Sequence, residues 1–123
     1  MMKAISKSWQ SVIEFYGQLN ASPNWNPKIL ENLALQIQMS EYASGLYPVT
    51  SMHALYLGQS PEFNIHRGAL KIELKENQIH LELMSSFDTS KNWKRVVEAD
   101  KAFEALVRFL ESEKWFVTYR KNA

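Results

Sequence analysis

The fold of this chain is decided by residues 69–84, which have the sequence ALKIELKENQIHLELM. Apolar and polar residues alternate through both halves of the stretch, and this period of two is typical of β-strands with one buried face. If the chain turns back in the middle so that Leu74 lies opposite Ile79, every apolar side chain of the alternating pattern falls on one face. A shift of one residue would place apolar side chains opposite polar ones throughout. The stretch therefore predicts a β-hairpin with a strongly specified register.

The same register predicts which polar residues face each other on the second face of the hairpin. The expected pairs are Lys75 with Gln78, Glu73 with His80, and Lys71 with Glu82. Cross-strand pairs of opposite charge contribute roughly 0.2–1 kcal/mol each. We expect a four-residue loop, residues 75–78, at the turn, because a two-residue turn would hold Glu76 at a positive φ that this residue type disfavours.

Two helices are predicted ahead of the hairpin. Apolar residues recur at helical spacing through residues 3–19, which indicates an amphipathic helix. Asn26-Pro27 is typical of the start of a second helix, because Asn caps free amide groups and Pro lacks the N–H that has no partner there. We expect this helix to continue to about residue 42, although residues 35–42 alternate in polarity and also fit a strand.

Further elements are predicted on both sides of the hairpin. Residues 49–57 are rich in β-forming side chains and predict a strand. Residues 93–98 fit either a fourth strand or the beginning of one long helix over residues 92–114. In the first case we expect Asp100 to cap a helix that ends near Ser112.

Together these elements predict a single α+β domain over residues 1–123. Its expected architecture is an antiparallel β-meander of three to five strands, with two N-terminal helices and one C-terminal helix packed on it. The chain has 123 residues, of which 46% are hydrophobic, and this is enough material for one packed core.

The composition excludes several classes of function. The chain has no cysteine, which excludes disulfides, thiolate nucleophiles and cysteine-based zinc sites. Its 14 basic and 13 acidic residues give a net charge of +1, so no long-range attraction to nucleic acid or anionic lipid is expected. The four glycines are scattered, which disfavours a phosphate-binding loop, and no cofactor is expected. With no signal-like or membrane-spanning apolar stretch, the sequence predicts a cytoplasmic protein that does not enter a membrane.

The histidines are the first candidates for chemistry. His80 is expected opposite Glu73 and beside Glu82, which would suit proton transfer if a cavity formed there. His53 lies on the strand predicted over residues 49–57, two residues after Ser51. His53, His80, Glu73 and Glu82 are therefore the candidate pocket, and no metal-ligand spacing accompanies them. The simpler interpretation is structural, with an ion pair on a solvated face for His80 and a hydrogen-bonded side chain for His53.

Aromatic and basic residues near the C-terminus are the candidate interaction surface. Trp93, Lys94 and Arg95 combine an aromatic ring with two cations, a combination that can bind single-stranded nucleic acid, although nearby acidic residues cancel most of the charge. The tail over residues 115–119 is aromatic and is expected to add a strand or to pack beside the last helix, and Trp115 and Tyr119 complete the candidate set.

The aromatic content favours one class of function. Aromatic residues make up 12% of the chain, more than one small core requires, and exposed Trp and Tyr are enriched at protein interfaces. We therefore expect a non-catalytic binding or interaction protein, acting on a protein partner or on a second copy of itself. The alternative is a small enzyme or ligand-binding protein with a pocket of His and Glu residues beside the sheet.

Overall fold

The structure, a computed structural model, describes residues 4–63, 68–84, 93–113 and 115. The elements in chain order are β1 (Ala4–Ile5), α1 (Trp9–Gly17), α2 (Lys28–Gln38), β2 (Tyr47–Ser51), β3 (Ala54–Gly58), β4 (Glu62–Phe63), β5 (Ala69–Lys75), β6 (Gln78–Met84), β7 (Lys94–Glu98) and α3 (Ala102–Ser112). Five strands form an antiparallel sheet in the order β2-β3-β5-β6-β7, and β1 pairs with β4 in a separate ribbon. The predicted α+β architecture is confirmed, with two helices before the hairpin and one after it.

The hairpin register predicted from residues 69–84 is also confirmed. The apolar pairs that face the helices are Leu70 with Leu83, Ile72 with Leu81, and Leu74 with Ile79. Its polar pairs are Lys71 with Glu82, Glu73 with His80, and Lys75 with Gln78. Because side chains alternate between the two faces of a strand, β5 and β6 present an apolar surface to the helices and a polar surface on the opposite side.

The four-residue loop predicted for this hairpin is wrong. Glu76 and Asn77 alone make the turn, with φ values of 51° and 60°, the left-handed pattern of a tight two-residue turn. Hydrogen bonds between the Asn77 side chain and the loop before α2 offset the energetic cost of this conformation. Its Oδ1 accepts a hydrogen bond from the backbone N–H of Asn26 at 2.8 Å, and its Nδ2 donates to the carbonyl oxygen of Pro23 at 3.3 Å.

The single strand predicted over residues 49–57 is a second hairpin. The chain reverses at Met52 and His53, whose φ values are 50° and 70°, and Ser51 lies opposite Ala54. Folding back here lets β3 pair with β2 on one side and β5 on the other, so that its backbone groups find partners on both sides. Neither turn residue belongs to the Gly, Asn, Asp and Pro group that normally marks a turn, which explains why the pattern predicted one strand.

The N-terminal helices are shorter than predicted. Residues 3–19 contain β1 as well as α1, and α1 begins after Ser8, whose hydroxyl accepts from the backbone N–H of Ser11 at 3.1 Å. Asn26 caps α2 as expected, because its Oδ1 accepts from the backbone N–H of Lys28 at 3.1 Å. The helical alternative for residues 35–42 is correct as far as Gln38.

The structure also decides between the strand and the long helix predicted for residues 93–98. Residues 94–98 form β7, so the long helix over residues 92–114 is wrong. Asp100 does not cap α3, because it lies within a short 3-10 turn (Ala99–Lys101) that precedes the helix. Of the aromatic tail, Trp115 is described and packs against Phe109; residues 116–119, and with them Tyr119, lie outside the described residues.

The core lies between the helices and one face of the sheet. Its fully buried members include Val12 and Tyr16 of α1, Leu30, Leu33 and Ile37 of α2, Leu55, Leu57, Leu70, Ile72, Ile79 and Leu81 of the sheet, and Leu106, Phe109 and Leu110 of α3. None of the described helices has the length and apolar character that would be needed to cross a membrane. The three helices of the described residues pack on the same side of the sheet, and none of them covers its second face.

Candidate functional site

The second face of the sheet carries two rows of side chains that cross its strands. One row runs from Tyr56 on β3 through Lys71 and Glu82 to Lys94 on β7. The neighbouring row contains Glu73, His80 and Val96. Charges of opposite sign therefore alternate along the first row, and such directly opposite pairs favour the observed register.

Ion pairs connect the charged residues of this face. The Nζ of Lys71 lies 3.5 Å from Oε1 of Glu73, and the Nζ of Lys75 lies 3.6 Å from the same oxygen. The Nζ of Lys94 lies 3.7 Å from Oε2 of Glu82. The two carboxylates are half-buried, while Lys75 and Lys94 are exposed. Pairs of this kind contribute about 0–1 kcal/mol each because water competes for the charges.

Three of the four candidate pocket residues meet on the second face. His80, Glu73 and Glu82 line a shallow hollow of about 140 Å³ together with lysines of β5 and β7. A drug-sized ligand usually occupies about 300 Å³ or more, so this hollow is small. Within the described ranges, no group of three or more His, Asp or Glu residues could hold a metal ion.

His53 is separated from the other three. It sits in the β2–β3 turn instead of on a strand, and its ring packs against Trp25 and Phe15, at centroid distances of 5.5 and 6.1 Å. The Tyr16 hydroxyl donates to the His53 carbonyl oxygen at 3.0 Å. Burial raises the pKa of the Tyr16 phenol well above its usual value, since the phenolate would lose its hydration. His53 therefore belongs to an aromatic cluster at one end of the sheet.

The candidate interaction residues also divide between surfaces. The Trp93 ring packs on Phe109, with the ring centroids 4.9 Å apart, and Trp115 packs edge-on to Phe109 at 5.2 Å. Lys94 points to the second face, where it pairs with Glu82. Arg95 is on the helical side and lines a groove between β7 and α3. The two cations next to Trp93 in sequence thus lie on opposite faces of the sheet, and only Arg95 is on the side where the Trp93 ring packs.

The two edges of the sheet differ. At the β2 edge, Pro48 has no N–H, and its carbonyl oxygen already accepts from the backbone N–H of Lys7 at 2.8 Å. At the β7 edge, Val96 is 51% exposed and its neighbours Lys94, Arg95 and Glu98 are exposed as well. Natural sheets protect an edge with proline, with charged side chains or with a covering segment. The β2 edge has the proline and its bond from Lys7, whereas the β7 edge has charged side chains on both sides of an exposed valine.

The ladder determines which backbone groups of β7 point away from the sheet. The N–H of Leu83 donates to the carbonyl oxygen of Trp93 at 2.8 Å, so Trp93 turns its backbone toward β6. Because hydrogen-bonded positions alternate in antiparallel pairs, Arg95 and Val97 also face β6. The N–H and C=O groups of Lys94, Val96 and Glu98 then point outward. Pattern analysis missed Val96, since only the strand order identifies β7 as an edge.

Comparison with known proteins gives no relative for this chain: no protein-family model, no curated protein and no solved structure matches it. The two surfaces described above, the second face of the sheet and the β7 edge, are therefore the basis for a functional proposal.

Proposed function

We propose that the protein is a non-catalytic interaction protein that binds an extended protein segment along the edge of β7. The observation that carries the proposal is the exposure of Val96 on an edge strand whose outward N–H and C=O groups have no strand beside them among the described residues. An added strand would satisfy these groups, as in other proteins that recognise peptides by extending a sheet.

The side chains of β7 suit such a partner. Lys94 and Glu98 flank Val96 on the second face, so the edge offers a positive end, an apolar centre and a negative end. Charges placed in this way select the register and direction of the added strand more than they increase its affinity. The partner expected from this pattern is a short β-segment with an apolar centre and charges of the opposite order.

A proline substitution tests this function. Val96→Pro removes one outward N–H, and it leaves the pairing with β6 intact because Val96 donates no bond to that strand. Val96→Thr is the matched control, since it keeps the N–H and the branched side chain. In a pull-down, the tagged chain is incubated with untagged chain and with extract of the native host. Tagged wild type and Val96→Thr should each retain a protein that tagged Val96→Pro does not retain.

Two results would contradict the proposal. Equal retention by wild type and by Val96→Pro would remove the β7 edge from the binding surface. Retention of no protein at all, including untagged copies of the chain, would remove the interaction function. Thermal unfolding of each variant establishes that the folded state is present at the assay temperature.

The second face supports the alternative function. His80 lies opposite Glu73 and shares the hollow with Glu82, so a polar ligand smaller than a typical drug could contact an imidazole and two carboxylates. Screening polar metabolites by NMR tests it. Shifts centred on His80 that disappear in Glu73→Gln would favour this alternative over binding at the β7 edge.

A further inference from the structure

We infer that the segment added to β7 is the β7 strand of a second copy, paired antiparallel about a two-fold axis at Val96. The inference rests on the proposed function and names its partner. Five strands from each copy would then form one continuous sheet. The axis would run perpendicular to the sheet, so the helical layers of both copies would lie on the same side.

The outward-facing groups of β7 permit this arrangement. A residue on the two-fold axis faces itself, and Val96 is the middle residue of the strand. With Val96 opposite Val96 of the second copy, Lys94 comes opposite Glu98 of the second copy, and the reverse pair forms on the other side of the axis. All three positions have outward N–H and C=O groups, so each pair can exchange both backbone hydrogen bonds.

The charges distinguish this register from the other symmetric ones. Centring the axis on Lys94, Arg95 or Glu98 would place two like charges directly opposite each other, which is unfavourable in a sheet. Centring it on Val97 would place Lys94 and Arg95 opposite residues beyond the end of the strand. Only the register centred on Val96 pairs the whole strand, Lys94–Glu98, with every charge of the second face opposite its counter-charge.

The exposed apolar surface of Val96 also favours a two-fold axis at this residue. Val96 is one of the large hydrophobic residues that the folded chain leaves exposed. It lies opposite His80 within its own sheet. A second Val96 on the outer side would give it an apolar neighbour where it now meets water, and contact between branched side chains stabilises antiparallel pairs.

Charge variants give the sharpest test. Lys94→Glu leaves two acidic residues at positions 94 and 98, and Glu98→Lys leaves two basic ones, so each variant would face itself with like charges. We expect each to raise the dissociation constant of the dimer by about tenfold or more, measured by sedimentation equilibrium. An equimolar mixture of the two variants should form a heterodimer, because every acidic residue then faces a basic one. Failure of the mixture to associate, with both variants folded, would overturn the proposed register.

A cysteine placed on the axis provides an independent measurement. The chain has no cysteine, so Val96→Cys carries one thiol. Hydrogen-bonded antiparallel residues have Cα atoms about 5.5 Å apart, within the roughly 4.4–6.8 Å that a disulfide spans. We expect mild oxidation to link Val96→Cys into dimers much faster than Met52→Cys, whose position is 97% exposed and lies in a turn away from β7. Equal rates for the two would contradict the pairing at Val96.

The outcomes separate this inference from the proposed function. A chain that sediments as a monomer, yet retains another protein that Val96→Pro loses, overturns the second copy as partner and leaves the interaction function standing. A monomeric chain with no partner dependent on β7 overturns both. A wild-type dimer that the charge variants weaken and their mixture restores supports both.

Discussion

The indole Nε1 of Trp25 donates a hydrogen bond to the carbonyl oxygen of Leu74 at 3.1 Å. The pairing of β3 with β5 begins at Leu55, opposite Ile72, so Leu74 lies just beyond the end of β3. The Trp25 side chain, from the loop before α2, thus donates to the Leu74 carbonyl the hydrogen bond that a neighbouring strand would otherwise supply at this end of the sheet. The His53 ring packs against the same indole at an interplanar angle of 39°, and this contact connects the β2–β3 turn to that loop.

Trp25→Phe tests the importance of this bond. The substitution keeps an aromatic ring but leaves the Leu74 carbonyl without its donor, and an unsatisfied, partly buried polar group costs about 1–3 kcal/mol. We expect the free energy of unfolding in urea to fall by that amount. Trp115→Phe is the matched control, since the described contact of Trp115 is a ring contact with Phe109, and its effect should be smaller. An equal effect of the two substitutions would contradict the role given to the indole N–H.

The β5–β6 turn allows a comparison between neighbouring residues. Asn77→Gly keeps the turn conformation but removes the bonds to Asn26 and Pro23, so we expect a loss of about 1–2 kcal/mol in unfolding free energy. Glu76→Gly relieves a positive φ at an exposed side chain and should be neutral or stabilising. Urea denaturation of both variants checks this order. A larger loss at residue 76 than at residue 77 would count against it.

Met52→Asn should stabilise the protein. Met52 has a φ of 50° and is 97% exposed, so its side chain contributes little packing while its backbone adopts a conformation that Asn tolerates better. We expect a gain of about 0.5–1 kcal/mol in unfolding free energy, on the scale of the left-handed penalty. The control is Met39→Asn, because Met39 is 79% exposed but has a φ of −85°. A gain of the same size at Met39 would show that positive φ is not the cause.

Tyr16→Phe should change the dependence of stability on alkaline pH. The raised pKa keeps the buried phenol neutral in the folded chain, while tyrosine in the unfolded chain ionises near pH 10. Tyr16 therefore contributes stability that is complete below about pH 10 and is lost as the pH rises above that value, since only the unfolded chain ionises there.

The measurement is the unfolding free energy of wild type and Tyr16→Phe at pH 7, 9 and 11. At pH 7 we expect the variant to be about 1 kcal/mol less stable, because the bond to the His53 carbonyl is lost. Between pH 9 and 11 the wild type should lose about 1.4 kcal/mol of unfolding free energy relative to the variant, because only its unfolded chain ionises there, so the deficit should vanish and reverse in sign by pH 11. A deficit that stays constant over this range would mean that Tyr16 ionises equally in both states.

The sequence predicts the central hairpin because its information is local and redundant. Six apolar positions and six polar positions of β5 and β6 agree on one register. A shift of one residue would move the apolar side chains to the polar face, which would be energetically costly. It also places His80 opposite Glu73, since that pair follows from the register alone. The turns are less predictable. Met52 and His53 adopt positive φ although neither is Gly, Asn or Asp, the residue types that usually mark such a turn, and the cause lies in strand pairing outside the turn.

The remaining features depend on contacts between distant parts of the chain. Trp25 and Leu74 are 49 residues apart, and Asn26 and Asn77 are 51 apart, so no local pattern predicts either bond. The exposure of Val96 depends on β7 being the last strand of the sheet, which requires the full strand order. For this reason the candidate residues of the hairpin could be placed from the sequence, whereas His53 and the β7 edge could not.

The strand order β2-β3-β5-β6-β7 has a consequence for how the chain acquires its structure. Within the large sheet, neighbouring strands also follow one another along the chain, except that β4 comes between β3 and β5. Most pairings therefore join nearby segments and close only short loops. Proteins dominated by such local contacts fold faster than those with distant pairings. We expect the hairpin of β5 and β6 to form first and the sheet to grow outward from it, with β7 added to one side. Each step of this growth adds a strand to the edge of the sheet. Pairing with a second molecule at β7 would then be a further step of the same kind.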